Sequence, residues 1–158
     1  MKTAKDFMNS EVVYVNPEAS VFDVARVFSQ KGISGAPVVE NEKVIGMISV
    51  SDIVKFMSLK LMDAEIISHE PQSLTFFLLN LVKMGKDYMD FKKELERISK
   101  LEVKHMMSKD IVFIKPDANL LEIAETMEKN DVNRLPVIEG NRLIGIISRA
   151  DLIKALIE

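Results

Sequence analysis

Residues 44–52 are Val-Ile-Gly-Met-Ile-Ser-Val-Ser-Asp, and residues 143–151 are Leu-Ile-Gly-Ile-Ile-Ser-Arg-Ala-Asp. The two stretches lie 99 positions apart (44 against 143), and the same register extends in both directions without a gap. Over residues 5–58 it gives 15 identical positions, among them proline, glycine, serine and aspartate. Chance does not keep such residues aligned over this distance, so the register indicates an internal duplication.

Each copy begins with the same predicted strand and helix. A β-branched run at residues 12–15, repeated at 111–114, precedes a proline, which cannot donate to a sheet and therefore ends a strand. Ser20 and Asn119 are candidate N-caps of the helix that follows, because each has an acidic residue three positions further on.

The second half of each copy predicts a β-hairpin and a last helix. Two apolar runs flank the short polar turns at residues 40–43 and 139–142. A helix then begins after Ser49 or Ser148 and carries apolar residues at helical spacing, namely Ile53, Val54 and Met57 in the first copy and Leu152, Ile153 and Leu156 in the second. The predicted order is β-α-β-β-α, twice, and two copies can bury a shared core that each alone leaves exposed.

The duplication divides the chain into repeat 1 (residues 1–58), a helical insert (59–101) and repeat 2 (102–158). Within the insert, residues 74–82 are apolar almost all round a helix, which predicts burial either inside the monomer or in an interface. Helix breaks are expected near His69-Glu70-Pro71 and Met84-Gly85. A charged helix over residues 86–100 is expected to face solvent, with Tyr88, Phe91, Leu95 and Ile98 at helical spacing.

Composition excludes several classes of function. The chain has 158 residues and no cysteine, which rules out disulfides, thiolate metal sites and a cysteine nucleophile. A formal net charge of −3 disfavours a broad nucleic-acid interface. No apolar run approaches the length of a membrane span, and the N-terminus has no apolar signal core, so we expect no membrane association and a cytoplasmic location.

The sequence also contains few of the residues and motifs that catalysis commonly uses. His69 and His105 are the only histidines, and neither belongs to a metal-ligand motif such as His-Glu-x-x-His. A phosphate loop with its lysine is missing from the sequence. We therefore expect a protein that is not an enzyme.

The paired repeat resembles the cystathionine β-synthase (CBS) domain, here as a tandem pair over about residues 3–58 and 102–158. The resemblance is carried by Met8, 15–17, 36–39 and 46–52, and again by Met107, 114–116, 135–138 and 145–151. One Gly-x-x-Ser-x-x-Asp string is weak evidence, whereas two in the same context are specific. The resemblance implies an α+β fold in which the two repeats pack through their sheets with pseudo-two-fold symmetry.

The resemblance also implies a function. Such pairs are regulatory modules that bind an adenosine compound (AMP, ADP, ATP or S-adenosylmethionine) in clefts between the repeats, with no other cofactor required. Many form a homodimer, a flat disc of four repeats, so we expect a homodimer and an unidentified regulated protein as partners. Because no catalytic domain is attached, regulation would act in trans. The alternative is an interaction or dimerisation scaffold that binds no ligand.

The two Ser-x-x-Asp motifs are the principal candidate ligand sites. The carboxylate of Asp52 or Asp151 could accept both hydroxyls of a ribose, while the helix-start N–H groups and the hydroxyl of Ser49 or Ser148 suit a phosphate oxygen. A capping box, with serine and aspartate bonded to each other's backbone, uses the same geometry without a ligand. The family resemblance favours ligand binding in both copies.

Further candidate residues surround these motifs. Gly46 and Gly145 lie in the preceding strand, where a glycine permits either close approach of a ligand or a β-bulge. By resemblance, an adenine would be sandwiched by apolar residues, namely Val13, Val112, Ala36 and Leu135, together with Val12 and Ile111.

Two arginines distinguish the repeats. Arg134 and Arg149 occupy positions where related modules place phosphate-contacting side chains, and repeat 1 has Gly35 and Val50 there instead. A lone surface arginine can also be simply solvated. We expect one site to prefer AMP, ADP or ATP, and the other to be weaker or selective for a less charged adenosyl group.

Overall fold

The structure, a computed structural model, describes residues 2–63 and 88–158. Its helices and strands are, in chain order, α1 (Ala4–Phe7), α2 (Val21–Lys31), β1 (Gly35–Glu40), β2 (Lys43–Ser49), α3 (Val50–Asp63), α4 (Tyr88–Ser99), a 3-10 turn (Val103–His105), α5 (Leu120–Lys129), β3 (Arg134–Glu139), β4 (Arg142–Ser148) and α6 (Arg149–Ile157). The α+β fold class is confirmed. Across the described residues, no helix is long and apolar enough to cross a membrane.

The first long helix of each repeat starts where the sequence predicts. The Ser20 hydroxyl accepts from the backbone N–H of Asp23 at 3.2 Å, and Asn119 caps α5 in a reciprocal box with Glu122. Such caps satisfy N–H groups that have no partner inside the helix. Helix α2 ends at Gly32, whose φ of 62° lies in the left-handed region that glycine adopts at low cost.

Both hairpins are present, each as a two-stranded antiparallel sheet closed by a two-residue turn. Asn41 and Glu42 have φ of 50° and 67°, as a type I′ turn requires. In the second hairpin only Gly140 has positive φ, which fits a type II′ turn with glycine first. The salt bridge from Arg142 to Glu42, 3.7 Å long, joins the two turns.

The prediction of a first strand in each repeat is wrong. Val15 and Ile114 form only isolated bridges, Ile114 donating to the Pro136 carbonyl at 3.0 Å. The chain turns directly afterwards, since the Ala118 N–H donates to the carbonyl of Lys115 at 3.2 Å across Pro116. A strand cannot lengthen when its next residues form a proline turn.

The chain folds into two compact units that interleave the repeats. Unit 1 comprises Met1–Tyr14, Pro37–Met47 and Lys109–Glu158, and unit 2 comprises Val15–Ala36 and Ile48–Ser108. A buried cluster forms the core of unit 1, made of Ala4, Ile114, Ala118, Ile123, Met127, Leu135, Val137 and Ile147. One member, Ala4, comes from the opposite end of the chain and has no exposed surface.

The segment that opens repeat 1 completes unit 1. Ala4 N–H donates to the Ala118 carbonyl at 2.8 Å, and Asn9 exchanges two 2.9 Å backbone hydrogen bonds with Ile146 of β4. Phe7 and Met8 pack against the buried cluster. Hence α1 packs with repeat 2, although it lies in repeat 1 in the sequence.

The segment that opens repeat 2 does the same in unit 2. Val103 N–H donates to the Ala19 carbonyl at 2.9 Å, and Val103 is fully buried. Val21 N–H donates to the Leu101 carbonyl at 2.8 Å. The two opening segments are thus used reciprocally, and the residues that make these contacts, Ala4 and Val103, correspond in the 99-residue register.

The charged part of the insert forms helix α4, as expected, and α4 packs against both α2 and α3. Its Ile98 has no exposed surface, whereas Lys92 and Lys93 are exposed. The predicted apolar helix at residues 74–82 and the breaks near His69-Glu70-Pro71 and Met84-Gly85 lie outside the described residues.

Candidate functional site

The Ser-x-x-Asp motif of repeat 2 is folded as a capping box at the start of α6. Ser148 N–H donates to Oδ2 of Asp151 at 2.8 Å, and the Ser148 hydroxyl donates to the same oxygen at 2.6 Å. In return, Asp151 N–H donates to the Ser148 hydroxyl oxygen at 3.3 Å. This is the reciprocal bonding of a capping box. The serine hydroxyl proton is therefore already committed inside the motif.

Repeat 1 has the same arrangement between β2 and α3. Ser49 N–H and Ser49 hydroxyl both donate to Oδ2 of Asp52 at 2.8 Å, and Asp52 N–H donates to the serine oxygen at 3.2 Å. Asp52 and Asp151 are both partly exposed, so each carboxylate is reachable from solvent.

A further contact at each motif had not been predicted from the sequence. Val50 N–H donates to the Ser34 carbonyl at 2.9 Å, and Arg149 N–H donates to the Asn133 carbonyl at 3.0 Å. Ser34 and Asn133 correspond in the 99-residue register, which is the one signal that could have identified them as a pair. In each repeat, the carbonyl of the residue just before the hairpin therefore accepts a hydrogen bond from the first N–H of the motif helix.

Few polar groups remain available for a ligand. Among the described residues, none donates to Oδ1 of Asp52 or Asp151, and none accepts from the N–H groups of Ser51 or Ala150. Each motif therefore offers one carboxylate oxygen with two lone pairs and one helix-start N–H. The hydroxyls of Ser49 and Ser148 bond within the cap here, and their expected role as phosphate donors stays a prediction.

Gly145 lies at a β-bulge, and a protein side chain approaches it closely. The register with β3 shifts beside it, from Val137 opposite Gly145 to Ile138 opposite Leu143, as at a β-bulge. A Cβ on Gly145 would lie 2.8 Å from Cγ of Met8 and closer still to its sulfur. The close approach is thus made by a side chain of the opening segment. Gly46, its counterpart, is buried.

We predict that Gly145→Ala destabilises the protein by about 1–3 kcal/mol, because the Met8 side chain must leave a packed position. Urea unfolding monitored by circular dichroism measures this loss. The Met8→Ala, Gly145→Ala double variant is the control: its loss should be smaller than the sum of the single losses, since each change makes room for the other. Strict additivity would contradict the contact.

The predicted adenine walls differ in accessibility. Val13 and Val112 are half-buried and offer apolar surface, whereas Ala36 and Leu135 have no exposed surface. Leu135 belongs to the unit 1 core. Val13 and Val112 therefore remain candidate walls, and the role predicted for the fully buried Ala36 and Leu135 stays a prediction.

The two arginines of repeat 2 have unlike surroundings. Arg134, at the start of β3 and opposite Ser148, is partly buried, and this burial lowers the pKa of its guanidinium from the usual value. Arg149, the first residue of α6, is exposed. At the corresponding places, repeat 1 has the buried Gly35 and the exposed Val50. At these two places, repeat 2 therefore has two arginines and repeat 1 has no cationic residue.

A cavity of about 260 Å³ lies elsewhere in unit 1, lined by Lys43, Val44, Ile111, Phe113, Ile138, Gly140 and Asn141. The cavity lies at the turn of the β3–β4 hairpin, the end at which Glu139 is opposite Arg142. The motif lies at the other end, where Arg134 is opposite Ser148. Ile111 thus lines a space that contains none of the motif residues. No group of three or more potential metal ligands occurs among the described residues.

Taken together, the geometry defines a small α+β protein with two matched capped motifs, one at the last helix of each repeat. Residues 4–59 and 103–158 match the CBS domain family, and the chain belongs to this family as a tandem pair. It is 38% identical over 156 residues to the uncharacterized protein MJ1426 of Methanocaldococcus jannaschii, covering 97% of this chain and 90% of that protein.

Two solved structures share the fold. One is CBSX2 in complex with AMP, with a TM-score of 0.68 and 22% identity over 99% of this chain and 97% of that one. The other is the CBS domain pair of protein MJ0100 in complex with 5′-methylthioadenosine and S-adenosyl-L-methionine, with a TM-score of 0.65 and 15% identity over 99% and 96% of the two chains. At these identities the likeness concerns the fold.

Proposed function

We propose that the protein is a regulatory module that binds an adenosine compound at its Ser-x-x-Asp motifs. The observation that carries this proposal is that, among the described residues, no group donates to Oδ1 of Asp52 or Asp151 and none accepts from the neighbouring helix-start N–H. Support comes from family membership and from two relatives of the same fold, one bound to AMP and one to S-adenosylmethionine and methylthioadenosine.

In this proposal, Oδ1 of the aspartate accepts the two ribose hydroxyls, since a carboxylate oxygen has two lone pairs. Oδ2 stays bonded to the serine and holds the carboxylate in one orientation. The N–H of Ser51 or Ala150, at a helix start, is placed to donate to an anionic oxygen. Val13 and Val112 contact the base with their exposed apolar surface.

We further propose that the two sites differ in ligand charge. Arg134 and Arg149 would favour a phosphate at the motif of repeat 2, because charge-assisted hydrogen bonds to phosphate are strong. Repeat 1 has neither cation at its corresponding positions and suits a less charged adenosyl group. AMP, ADP or ATP is thus assigned to repeat 2.

Regulation would act in trans on a partner protein in the cytoplasm, without catalysis by this chain. Ligand binding would favour one arrangement of the repeats, and its effect on a partner can be no larger than the difference in ligand affinity between arrangements. The homodimer remains a prediction. The competing proposal is a scaffold that binds partners but no nucleotide.

Calorimetric titration with AMP, ADP, ATP, S-adenosylmethionine and 5′-methylthioadenosine tests the proposal. We expect saturable binding, with the phosphate-bearing compounds weakened about tenfold by Arg134→Ala and about twofold to fivefold by the exposed Arg149→Ala. Arg142→Ala is the matched control, because it removes the same charge at the far end of the hairpin.

Absence of binding across the panel would favour the scaffold. Two equal sites that do not respond to either arginine change would contradict the charge difference between repeats, while leaving adenosine binding itself supported.

A further inference from the structure

The cavity at the turns of the two hairpins combines apolar walls with a single cation. Its volume is about 260 Å³, and all the residues that line it belong to unit 1. The apolar walls are Val44, Ile111, Phe113 and Ile138. Phe113 is 48% exposed, so part of its ring surface is open to a ligand. The remaining lining residues are Lys43 at the start of β2 and Gly140 and Asn141 in the second turn. We call this space the turn cavity.

The duplication provides an internal comparison for the turn cavity. In the 99-residue register, its apolar walls correspond to apolar or aromatic residues, namely Leu143, Val12, Tyr14 and Val39. Its cation is also matched, since Arg142 corresponds to Lys43. The charge differs at one position only: the cavity has Asn141 where the equivalent set has Glu42. The two sets therefore differ by one carboxylate.

The carboxylate that the turn cavity lacks has a visible partner in the equivalent set. Glu42 forms a salt bridge with Arg142, 3.7 Å long. The corresponding pair in the cavity is Lys43 and Asn141, and an asparagine cannot neutralise a lysine. Across residues 2–63 and 88–158, no carboxylate forms a salt bridge with Lys43. The turn cavity thus keeps the cation without the anion that its counterpart has.

We propose that the turn cavity binds a small aromatic carboxylate. The ligand carboxylate replaces the missing side chain at position 141 and accepts charge-assisted hydrogen bonds from the ammonium group of Lys43. The side-chain amide of Asn141 supplies a neutral donor, which a glutamate there could not. The aromatic body of the ligand packs against the ring of Phe113 and the aliphatic walls.

The size of the turn cavity separates this ligand from a nucleotide. Pockets for drug-sized ligands have volumes of about 300–1,000 Å³, and the turn cavity lies just below that range. It also contains neither Ser-x-x-Asp motif. The inference therefore goes beyond adenosine binding and does not depend on it.

An NMR titration of the full chain with benzoate tests the inference. We expect saturable shifts of the backbone amide signals of Val44, Gly140 and Asn141, with a dissociation constant on the order of 1 mM for a ligand of about ten non-hydrogen atoms. Acetate carries the charge without the ring, and benzyl alcohol carries the ring without the charge. Each should bind at least about tenfold more weakly than benzoate.

Two variants test the role of charge. Lys43→Met should weaken benzoate binding at least about tenfold, because it removes the charged donor. Asn141→Glu introduces the carboxylate of the equivalent set and should weaken binding at least as much, by pairing with Lys43 and repelling the ligand. Asn141 does not have a positive φ, so glutamate fits the turn without backbone strain. Circular dichroism should show both variants to be folded.

Lys5→Met is the matched control, because it removes an exposed lysine elsewhere in unit 1. It should change benzoate affinity less than twofold. Phe113→Ala should weaken benzoate binding about twofold to tenfold, through the lost ring contact. Saturating AMP should leave benzoate affinity unchanged, since the two ligands use separate sites.

Absence of benzoate shifts around the turn cavity at 20-fold the expected dissociation constant would overturn the inference. Binding that survives both Lys43→Met and Asn141→Glu would also overturn it. Acetate binding as tightly as benzoate would reduce the site to a surface cation, and benzyl alcohol binding as tightly would remove the role of Lys43. Displacement of benzoate by AMP would assign the cavity to the nucleotide instead.

Discussion

The Asp151→Asn protein should bind AMP roughly 10- to 100-fold more weakly than the wild type at the repeat 2 motif. The asparagine carbonyl can take the place of Oδ2 and accept the two bonds from Ser148. Its amide nitrogen then occupies the place of Oδ1 and donates instead of accepting, so the ribose hydroxyls lose a charged acceptor, worth about 1.5–3 kcal/mol. Calorimetric titration measures the change, and Asp52→Asn should do the same at repeat 1.

Ser148→Ala is the matched control, because it alters the cap and leaves Oδ1 in place. We expect it to lower the free energy of unfolding by about 1 kcal/mol, as for other N-cap serines, and to change AMP affinity less than twofold. Asp151→Asn should lower the free energy of unfolding by no more than about 1 kcal/mol, through the lost charge at the helix start. If Asp151→Asn bound AMP normally, the carboxylate would serve only as a cap.

Deleting residues 2–9 should have the largest effect on stability, a loss of at least about 4 kcal/mol. The deletion removes the buried Ala4 and the packing of Phe7 and Met8 from the unit 1 core. It also leaves Ile146 of β4 without its two hydrogen bonds to Asn9. Urea unfolding measures the loss, which is a large part of the total stability of a typical domain.

The control for this deletion is Lys2→Ala, Lys5→Ala, two exposed positions in the same segment. This change should alter stability by less than about 0.5 kcal/mol. A synthetic peptide of residues 1–14 should restore the truncated protein in a concentration-dependent way, because binding to the folded state stabilises it. A truncated chain with the wild-type unfolding midpoint would show that α1 contributes no essential packing.

The repeat register predicted most of the helices and both hairpins, but it did not predict which of them pack against each other. Turn residues and N-caps are local signals, so both hairpins and the starts of α2 and α5 could be derived from the sequence. The packing of Ala4 beside Ala118 could not, because periodicity shows which side of an element is apolar and not which distant segment covers it. For the same reason, the apolar spacing of Ile153 and Leu156 could not show that both side chains are exposed.

At the candidate site, the sequence predicted the Ser-x-x-Asp motifs as ligand sites and left their hydrogen bonding open. The Ser-x-x-Asp spacing is compatible with a cap and with a ligand site. Only atomic distances show that Oδ2 bonds to the serine and that no described residue donates to Oδ1. The sequence could not predict that the carbonyls of Ser34 and Asn133 accept hydrogen bonds from the first N–H groups of the motif helices, because every residue type has a backbone carbonyl. The full burial of Leu135, a predicted adenine wall, depends on the assembled core and could not be predicted from the sequence.

The reciprocal use of the two opening segments makes this chain a candidate for splitting in two. A fragment ending at residue 63 carries α1, which unit 1 needs, and a fragment beginning at residue 64 carries Val103, which unit 2 needs. Neither fragment contains a complete core, and each carries the opening segment that packs with the repeat in the other fragment. Such fragments should recover their fold only by associating, so that the boundary between the two repeats offers a natural position for a split reporter.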